Sequence, residues 1–425
     1  MENRLRPRSP MQARILLVAP SGSYRTFAYI EAAQSLGIDL LVASSGRHSL
    51  VTPLVGGLHL DVDDPAALQR LLEAGRESPF AGVIATDDQT VEIASRVAEA
   101  LGLAHNPLGA ARFSRRKDLA RQCLDKAGLP VPRHRVVDLR TPLDPQLDGI
   151  DYPCVVKPLS LSTSRGVIRA DDQSQLQAAI LRVRALLAAE AALGSEEKDL
   201  LLVERFISGP ELAVEALLHR GQLQVLAVFD KPDPMEGPFF EETYYVTPSR
   251  HAPAVQFLIR KRLKEACRAY GLCEGPVHAE LRLSEGDAWI MEIASRTIGG
   301  DCARLLRFGT GHGLEELVLA QAAGHPLPAV PEQGGAGVLM IPIPRHGILR
   351  RVEGVLAARR VRYIEDVEIS RREGYELVPL PEGASYLGFI FARAPTPEQA
   401  EQALREAHAE LDIVVAPVMK ITDRR

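Results

Sequence analysis

The sequence predicts an α/β protein of several compact units, the first a doubly wound parallel-sheet domain. Three observations carry this. At 425 residues the chain is longer than one ordinary hydrophobic core organises. Over residues 13–112, apolar runs of buried-strand type alternate with helical stretches, the pattern of a parallel sheet with crossover helices. Beyond residue 324, the stretch HPLPAVPEQGGAG separates a helix-rich region from a further set of strands, and its prolines and glycines mark a boundary near residue 330.

Composition narrows the class. With 46% hydrophobic and 25% charged residues, the chain can bury a sizeable core. A net charge of -5 argues against a dedicated nucleic-acid binder. No apolar run reaches membrane-spanning length. Five cysteines without a CxxC pair fit buried thiols in a reducing cytoplasm. The start, MENRLRPRSPMQ, is basic but lacks the apolar core of a secretory signal, so residues 1–12 read as a disordered tail.

In chain order, ARILLVAP is a strand followed by Ser21-Gly22-Ser23 and a helix that stops near Gly37. IDLLVASS and AGVIATDD are further strands, with a helix over 68–77 between them. The first turn lacks GxGxxG, which speaks against a dinucleotide site. Asp87 and Asp88, at a strand's carboxyl end, could meet a ligand there or cap the next helix; the cap is the simpler expectation. A basic helical stretch from Ser114 to Gly128 carries Lys117, and YPCVVKP is a strand interrupted by Lys157. A lysine in so apolar a run needs an anionic partner. The hydroxyl-rich LSLSTSRGV that follows, ending at Gly166, can offer backbone N–H groups and hydroxyls to phosphate, or be an ordinary polar loop. A helix capped by Asp171 or Asp172 runs to about Leu193. LLVERFI and ELAVEALLH are strands, and the alternating Glu211, Ala213, Glu215 suggests a half-buried sheet edge. A long irregular segment with four prolines, FDKPDPMEGPFFEETYYVTPSR, leads to a helix over about 254–270 stopped by Gly271. GVLMIPIP, RVRYIEDVEIS and YLGFIFAR are late strands, and Thr396-Pro-Glu-Gln399 opens the last helix.

The stretch GPVHAELRLSEGDAWIMEIASRTIGGD, 275–301, reads as a hairpin and a glycine loop. Val277, Ala279, Leu281 and Leu283 share one face; His278, Glu280 and Arg282 share the other. With Glu285-Gly286-Asp287 as the loop, Ser284 pairs with Ala288 and Glu280 falls opposite Glu292. Cross-strand partners sit about 5 Å apart, and like charges so placed repel. A divalent cation resolves that conflict, and two carboxylates suit Mg²⁺. A solvated sheet face with two unrelated acids is the equal alternative from these residues alone.

Taken together and in this order, Lys117, VVKP, STSRGV, VERFISGPE, GPVHAELR and EIASRTIGGD resemble the ATP-grasp superfamily, most similarly its L-amino-acid ligases. The resemblance covers nearly the whole chain. It implies an N-terminal pre-ATP-grasp domain over 13–112, a central α+β ATP-grasp domain over 113–330 with a lid at about 135–206, and a small C-terminal α/β subdomain over 331–425. It implies ATP and Mg²⁺ or Mn²⁺ as cofactors, small-molecule carboxylate and amine partners, neither nucleic acid nor membrane, and leaves a homodimer open.

Carried onto this sequence, the resemblance gives Lys117 and Lys157 to the ATP phosphates, with Ser164, Arg165 and Gly166 in the lid above them. Thr163 stands where a further glycine is usual. Glu204 with the backbone of Arg205 and Phe206 would meet adenine, and Glu211 the ribose. Glu280 and Glu292 would be metal ligands, with Ala294 where a third ligand, asparagine, is common. Arg296 would stabilise the transferring phosphoryl group, acting with Glu292 and Lys157, while His278, Gly299, Gly300 and Tyr244 would line the substrate pocket. The implied chemistry is activation of a carboxylate, such as an amino acid's, as an acyl phosphate, followed by amine attack to give an amide or dipeptide, ADP and phosphate. An ATP-grasp carboxylase or purine-pathway ligase is the alternative within the fold, and an ATP-binding module without catalysis the alternative outside enzymes.

Overall fold

The computed structural model describes residues 13–45, 55–191, 193–299, 301–326 and 334–418. The tail at 1–12, the core of the proline/glycine cluster at 327–333, and Gly300 lie outside them. The first strands are β1 (Arg14–Val18), β2 (Asp39–Ser44), β3 (Gly56–His59) and β4 (Gly82–Ala85), forming a parallel sheet in the order β3-β2-β1-β4. The helix Arg25–Leu36 ends where Gly37 takes φ 64°, a left-handed stop that glycine adopts without strain. In this strand order the connections diverge between β1 and β4, so the loops after these two strands flank the crevice where open α/β sheets bind ligands. Those loops carry Tyr24, Arg25, Asp87 and Asp88.

A second, antiparallel sheet is built from β5 (His134–Asp138), β6 (Cys154–Pro158), β7 (Ile168–Ala170) and β8 (Leu200–Arg205), in the order β5-β8-β6-β7. The helix Gln173–Ala189 covers it, and Asp172 caps that helix by accepting from the Gln175 N–H. The basic stretch before this sheet holds the helix Lys117–Lys126, with a separate short helix, Leu108–Phe113, ahead of it. Lys117 therefore stands at a helix's first residue, where backbone N–H groups and the helix dipole favour anions.

The main sheet comprises β9 (Glu211–His219), β10 (Gln222–Lys231), β11 (Tyr244–Thr247), β12 (Gly275–Ser284) and β13 (Asp287–Ala294). The later strands are β14 (Gly335–Ile341), β15 (Gly347–Glu353), β16 (Ile364–Ile369), β17 (Glu376–Leu377), β18 (Gly388–Ala394) and β19 (Asp412–Ala416). β14, β18 and β16 extend the main sheet to the order β13-β12-β9-β10-β11-β14-β18-β16, while β17-β15-β19 form a small sheet of their own. The chain beyond the proline/glycine cluster thus continues the central sheet. β9 is a central strand between β12 and β10 and is buried along Glu211–Leu218, which corrects the expectation of a half-buried edge. Alternating glutamates tolerate that burial because neighbouring strands supply cations. Glu211 lies directly across from Arg282 on one side and Lys231 on the other, and Glu215 lies across from His278.

The hairpin β12–β13 pairs Glu280 with Glu292 and His278 with Ala294, as the sequence predicts, but by another route. The turn is the two-residue Glu285-Gly286, with φ 53° and 75°, so Ser284 pairs with Asp287 and not with Ala288. That tighter turn alone would set Glu280 opposite Met291. A bulge between Glu280 and Leu281 inserts one residue and restores Glu292. The Arg121 guanidinium donates to the Met291 carbonyl at 2.8 Å, holding the bulged backbone.

Candidate active site

A cavity of about 300 Å³ lies where the β5-β8-β6-β7 sheet, the main sheet and the β1/β4 crevice meet. Its first wall is apolar: Val155, Phe206, Met235 and Phe240 form a packed cluster, with Ile207 and Met291 beside them. Such a slot suits a flat heterocycle. Arg282, itself buried, ties the slot together by donating to the carbonyls of Ile207 at 2.7 Å and Met235 at 2.6 Å.

Next to the slot lie the lysines. Lys157 points from β6 to the Glu204 carboxylate, which also receives the Arg121 guanidinium at 2.8 and 3.3 Å. Burial raises the Glu204 carboxyl, but Arg121 and Lys157 outweigh it and hold its pKa at about 2. Lys157 responds the other way: burial lowers its pKa, and Arg121 and Lys117 nearby counter the help from Glu204. Lys117 donates to the Leu161 carbonyl at 2.8 Å and lies 3.3 Å from Glu292.

The floor is acidic. Glu280 and Glu292 face the cavity with side chains 24% and 29% exposed. His278 lies 3.5 Å from Glu280 and 2.5 Å from Glu215, and these two carboxylates overcome its burial and raise its pKa to about 9. Burial would raise the Glu280 carboxyl; Lys231 and His278 more than offset that and hold it well below the usual range. Glu242, also on the floor, accepts from the Tyr245 hydroxyl at 2.8 Å, and burial pushes its pKa up to about 7.

The far end joins the N-terminal sheet to the glycine loop. Arg296 makes a two-pronged pair with Asp88 at 3.0 and 2.9 Å, and Arg25 pairs with Asp87 at 2.6 Å. The Asp87 carboxylate also receives the hydroxyls of Ser23 and Thr86, both at 2.6 Å. These aspartates are therefore more than helix caps; both line the cavity. Gly299 lines it too, and a Cβ there would stand 3.2 Å from Arg25 Nη2 and from the Tyr24 hydroxyl.

Comparison with known proteins agrees with this geometry. The ATP-grasp domain model matches residues 150–304, the ATP-grasp N-terminal domain 30–105, and the L-amino acid ligase C-terminal domain 2 residues 339–416. The chain belongs to the ATP-grasp superfamily. Among solved structures, the L-amino acid ligase from Bacillus licheniformis superposes with a TM-score of 0.83 at 26% identity, over 96% of this chain and 100% of that one. D-alanine–D-alanine ligase from Aromatoleum aromaticum is 29% identical over 39% of this chain and 51% of its own length. Dapdiamide A synthase from Enterobacter agglomerans is 25% identical over 61% and 60%. The chain spans about half to two thirds of the length of such curated relatives.

Against this ATP-grasp frame, several expected residues take other places. The Glu204 carboxylate is paired with Arg121 and Lys157, so it positions Lys157 and does not stand free for an adenine edge. The N–H groups of Arg205 and Phe206 donate to the carbonyls of Arg133 and Pro153, so they are not available to adenine. The Arg205 guanidinium pairs with Glu285 and lies over the Trp289 ring. Arg165 does not face the cavity: it pairs with Glu190 at 2.6 Å and donates to the Glu382 carbonyl at 2.9 Å. The cavity-facing part of the loop is Leu161–Ser164. Gly166 sits behind it, donating to the Pro381 carbonyl at 2.9 Å. Tyr244 faces the C-terminal core, under Arg405, while its neighbour Tyr245 faces the cavity, because strand alternation admits one of the two. Gly300 lies outside the described residues.

Thr163 and Ser164 hold left-handed backbone, φ 56° and 54°, without glycine's freedom. At Gly166, φ is 72° and an added Cβ would stand 2.8 Å from Pro158. Gly166→Ala is therefore expected to destabilise the protein by about 1–3 kcal/mol, read by denaturant unfolding; an unchanged midpoint would show that this loop relaxes freely.

The donor set fits a hard divalent cation. Glu280 and Glu292 are paired in register, both reach the cavity, and both offer carboxylate oxygen. Ala294, wholly buried opposite His278, contributes no third donor. Lys231, Glu242 and Arg121 were not singled out from the sequence, and Asp88 was read first as a helix cap. Lys231 had a usable signal, since it ends an apolar run as Lys157 does.

Proposed function

We propose that this ATP-grasp protein is an ADP-forming carboxylate–amine ligase, activating an amino acid or similar acid as an acyl phosphate and passing the acyl group to an amine. The observation carrying this reading is convergence. One cavity holds an apolar slot, two lysines, the Glu280–Glu292 pair and Arg296, and it ends in a polar wall from the β1/β4 crevice. The similarity to the Bacillus licheniformis L-amino acid ligase along the whole chain supports it further.

In this reading ATP lies with its base in the Val155–Phe240 slot and its ribose towards Glu211. Lys117 and Lys157 approach the phosphates as point charges, which orients them and neutralises charge as the γ-phosphoryl group leaves. Glu280 and Glu292 would hold Mg²⁺, which supplies charge neutralisation on the phosphate oxygens when bound. Arg296, fixed by Asp88, presents its guanidinium where the substrate carboxylate meets the transferring phosphoryl group. A carboxylate oxygen attacks the γ-phosphorus and ADP departs. The amine then attacks the acyl carbon, the phosphate leaves, and the amine loses a proton. The slot and the lid loop exclude water, which would otherwise hydrolyse the mixed anhydride. The free cysteines and the absence of any described helix long and apolar enough to cross a membrane agree with a cytoplasmic enzyme.

ADP release in the presence of paired amino acids, acids and amines tests the reading. It should require both an acid and an amine, and yield one phosphate per amide bond. Turnover driven by bicarbonate would place the chain with the carboxylases, and ATP binding without turnover on any pair would leave only a nucleotide-binding role.

A further inference from the structure

Lys231 is a charged residue beside this cavity for which the ligase reading gives no task. It ends β10, and its side chain is 3% exposed. Its ammonium lies 2.8 Å from Glu211, 2.5 Å from Glu242 and 3.6 Å from Glu280, above the Tyr245 ring at 5.1 Å. Among the described residues, these three carboxylates are the group that brings acidic oxygens near enough to hold a metal ion, all within 4.8 Å of one another. Three half-buried carboxylates this close repel one another unless a cation lies between them. A protonated lysine has three N–H donors; here two go to Glu211 and Glu242, and Glu280 lies at ion-pair distance.

We propose that Lys231 is a built-in cation: its ammonium fills the Glu211–Glu242–Glu280 cluster, keeps a divalent ion out of it, and fixes the two glutamates that meet the nucleotide. The register supports this. Lys231 stands directly across from Glu211, on the row Arg282–Glu211–Lys231, so Glu211 is held from both neighbouring strands. Glu242 completes the seat, anchored by the Tyr245 hydroxyl. Glu280 is the most loosely held of the three, with Lys231 and His278 both approaching the same oxygen, Oε1. A glutamate held this way is oriented yet free to share an ion with Glu292. Lys231 is thus a positioning residue. It also supplies fixed positive charge in a site where Ala294 contributes no further metal donor.

The roles of Glu211 and Glu280 rest on the ligase reading, but the test does not need turnover. Mn²⁺ is titrated into nucleotide-free protein and the free ion is read by EPR. The wild-type cluster should take up none, so Glu242→Gln should leave the wild-type titration unchanged. Lys231→Met should gain one bound Mn²⁺ per chain, and Lys231→Met/Glu242→Gln should lose it again. With MgATP and substrates, Lys231→Met should lose on the order of 10–100-fold in kcat/KM for ATP, as for other residues that orient metal ligands. The proposal is overturned by wild-type Mn²⁺ uptake that disappears in Glu242→Gln, or by a folded Lys231→Met protein that takes up no Mn²⁺. If Lys231→Met does not fold, the wild-type and Glu242→Gln titrations decide alone.

Discussion

Arg296→Ala should lower kcat for ADP formation by on the order of 10²–10³-fold, the usual cost of removing a fixed donor from a developing charge. Arg296 is buried, held in one orientation by Asp88 and by its bond to the Thr297 carbonyl at 3.0 Å. Such pre-orientation matters because an interaction stronger in the transition state than in the ground state raises kcat, whereas uniform binding lowers only KM. The KM for ATP should therefore change much less than kcat. Asp88→Asn keeps a hydrogen-bonding partner and should cost less than Arg296→Ala. Steady-state ADP release with saturating acid and amine gives both numbers. An Arg296→Ala enzyme within about tenfold of wild type would remove this arginine from the phosphoryl group.

The largest stability effect is expected at Arg121. This side chain is 1% exposed and grips Glu204 with two nitrogens while bracing the hairpin bulge through Met291. Arg121→Met leaves Glu204 buried with one cation, and breaking such a buried pair costs about 3–5 kcal/mol. The pH dependence follows in sign. Glu204 has its folded pKa lowered from 4.5 to about 2, so its contribution is present above its ordinary range and lost as pH falls towards 2. Glu204→Gln should flatten that acid limb, and Arg121→Met should move it to higher pH. Urea unfolding at several pH values between 2 and 6 measures both. A stability curve for Arg121→Met that matches wild type would show the pair to be energetically idle.

Much of this architecture was legible in the sequence because its signals are local. Apolar runs, caps such as Asp172 and Thr396, and the stop at Gly271 announce their elements wherever they sit. The Glu280–Glu292 pairing was also legible, although the turn assumed for it was one residue too long and the unforeseen bulge supplied the residue that restored it. What local pattern does not report is which strands become neighbours. Glu211 and Glu215 read as a half-buried edge until β10 and β12 bring Lys231, Arg282 and His278 alongside. The same limit hid the pairing of Asp88 with Arg296, 208 residues away, and of Arg121 with its carboxylate, 83 residues away. Arg165 erred in the opposite direction, since its place beside Ser164 said nothing about the carboxylate of Glu190 that turns it outward.

The central claim is that the carboxylate becomes an acyl phosphate before the amine attacks. Its most direct test uses an acid substrate labelled with ¹⁸O in both carboxylate oxygens, with mass analysis of the phosphate released. The ligase account predicts one ¹⁸O per phosphate, carried over when the acyl–oxygen bond breaks, and one ¹⁸O kept in the amide. Unlabelled phosphate formed alongside ADP would contradict it.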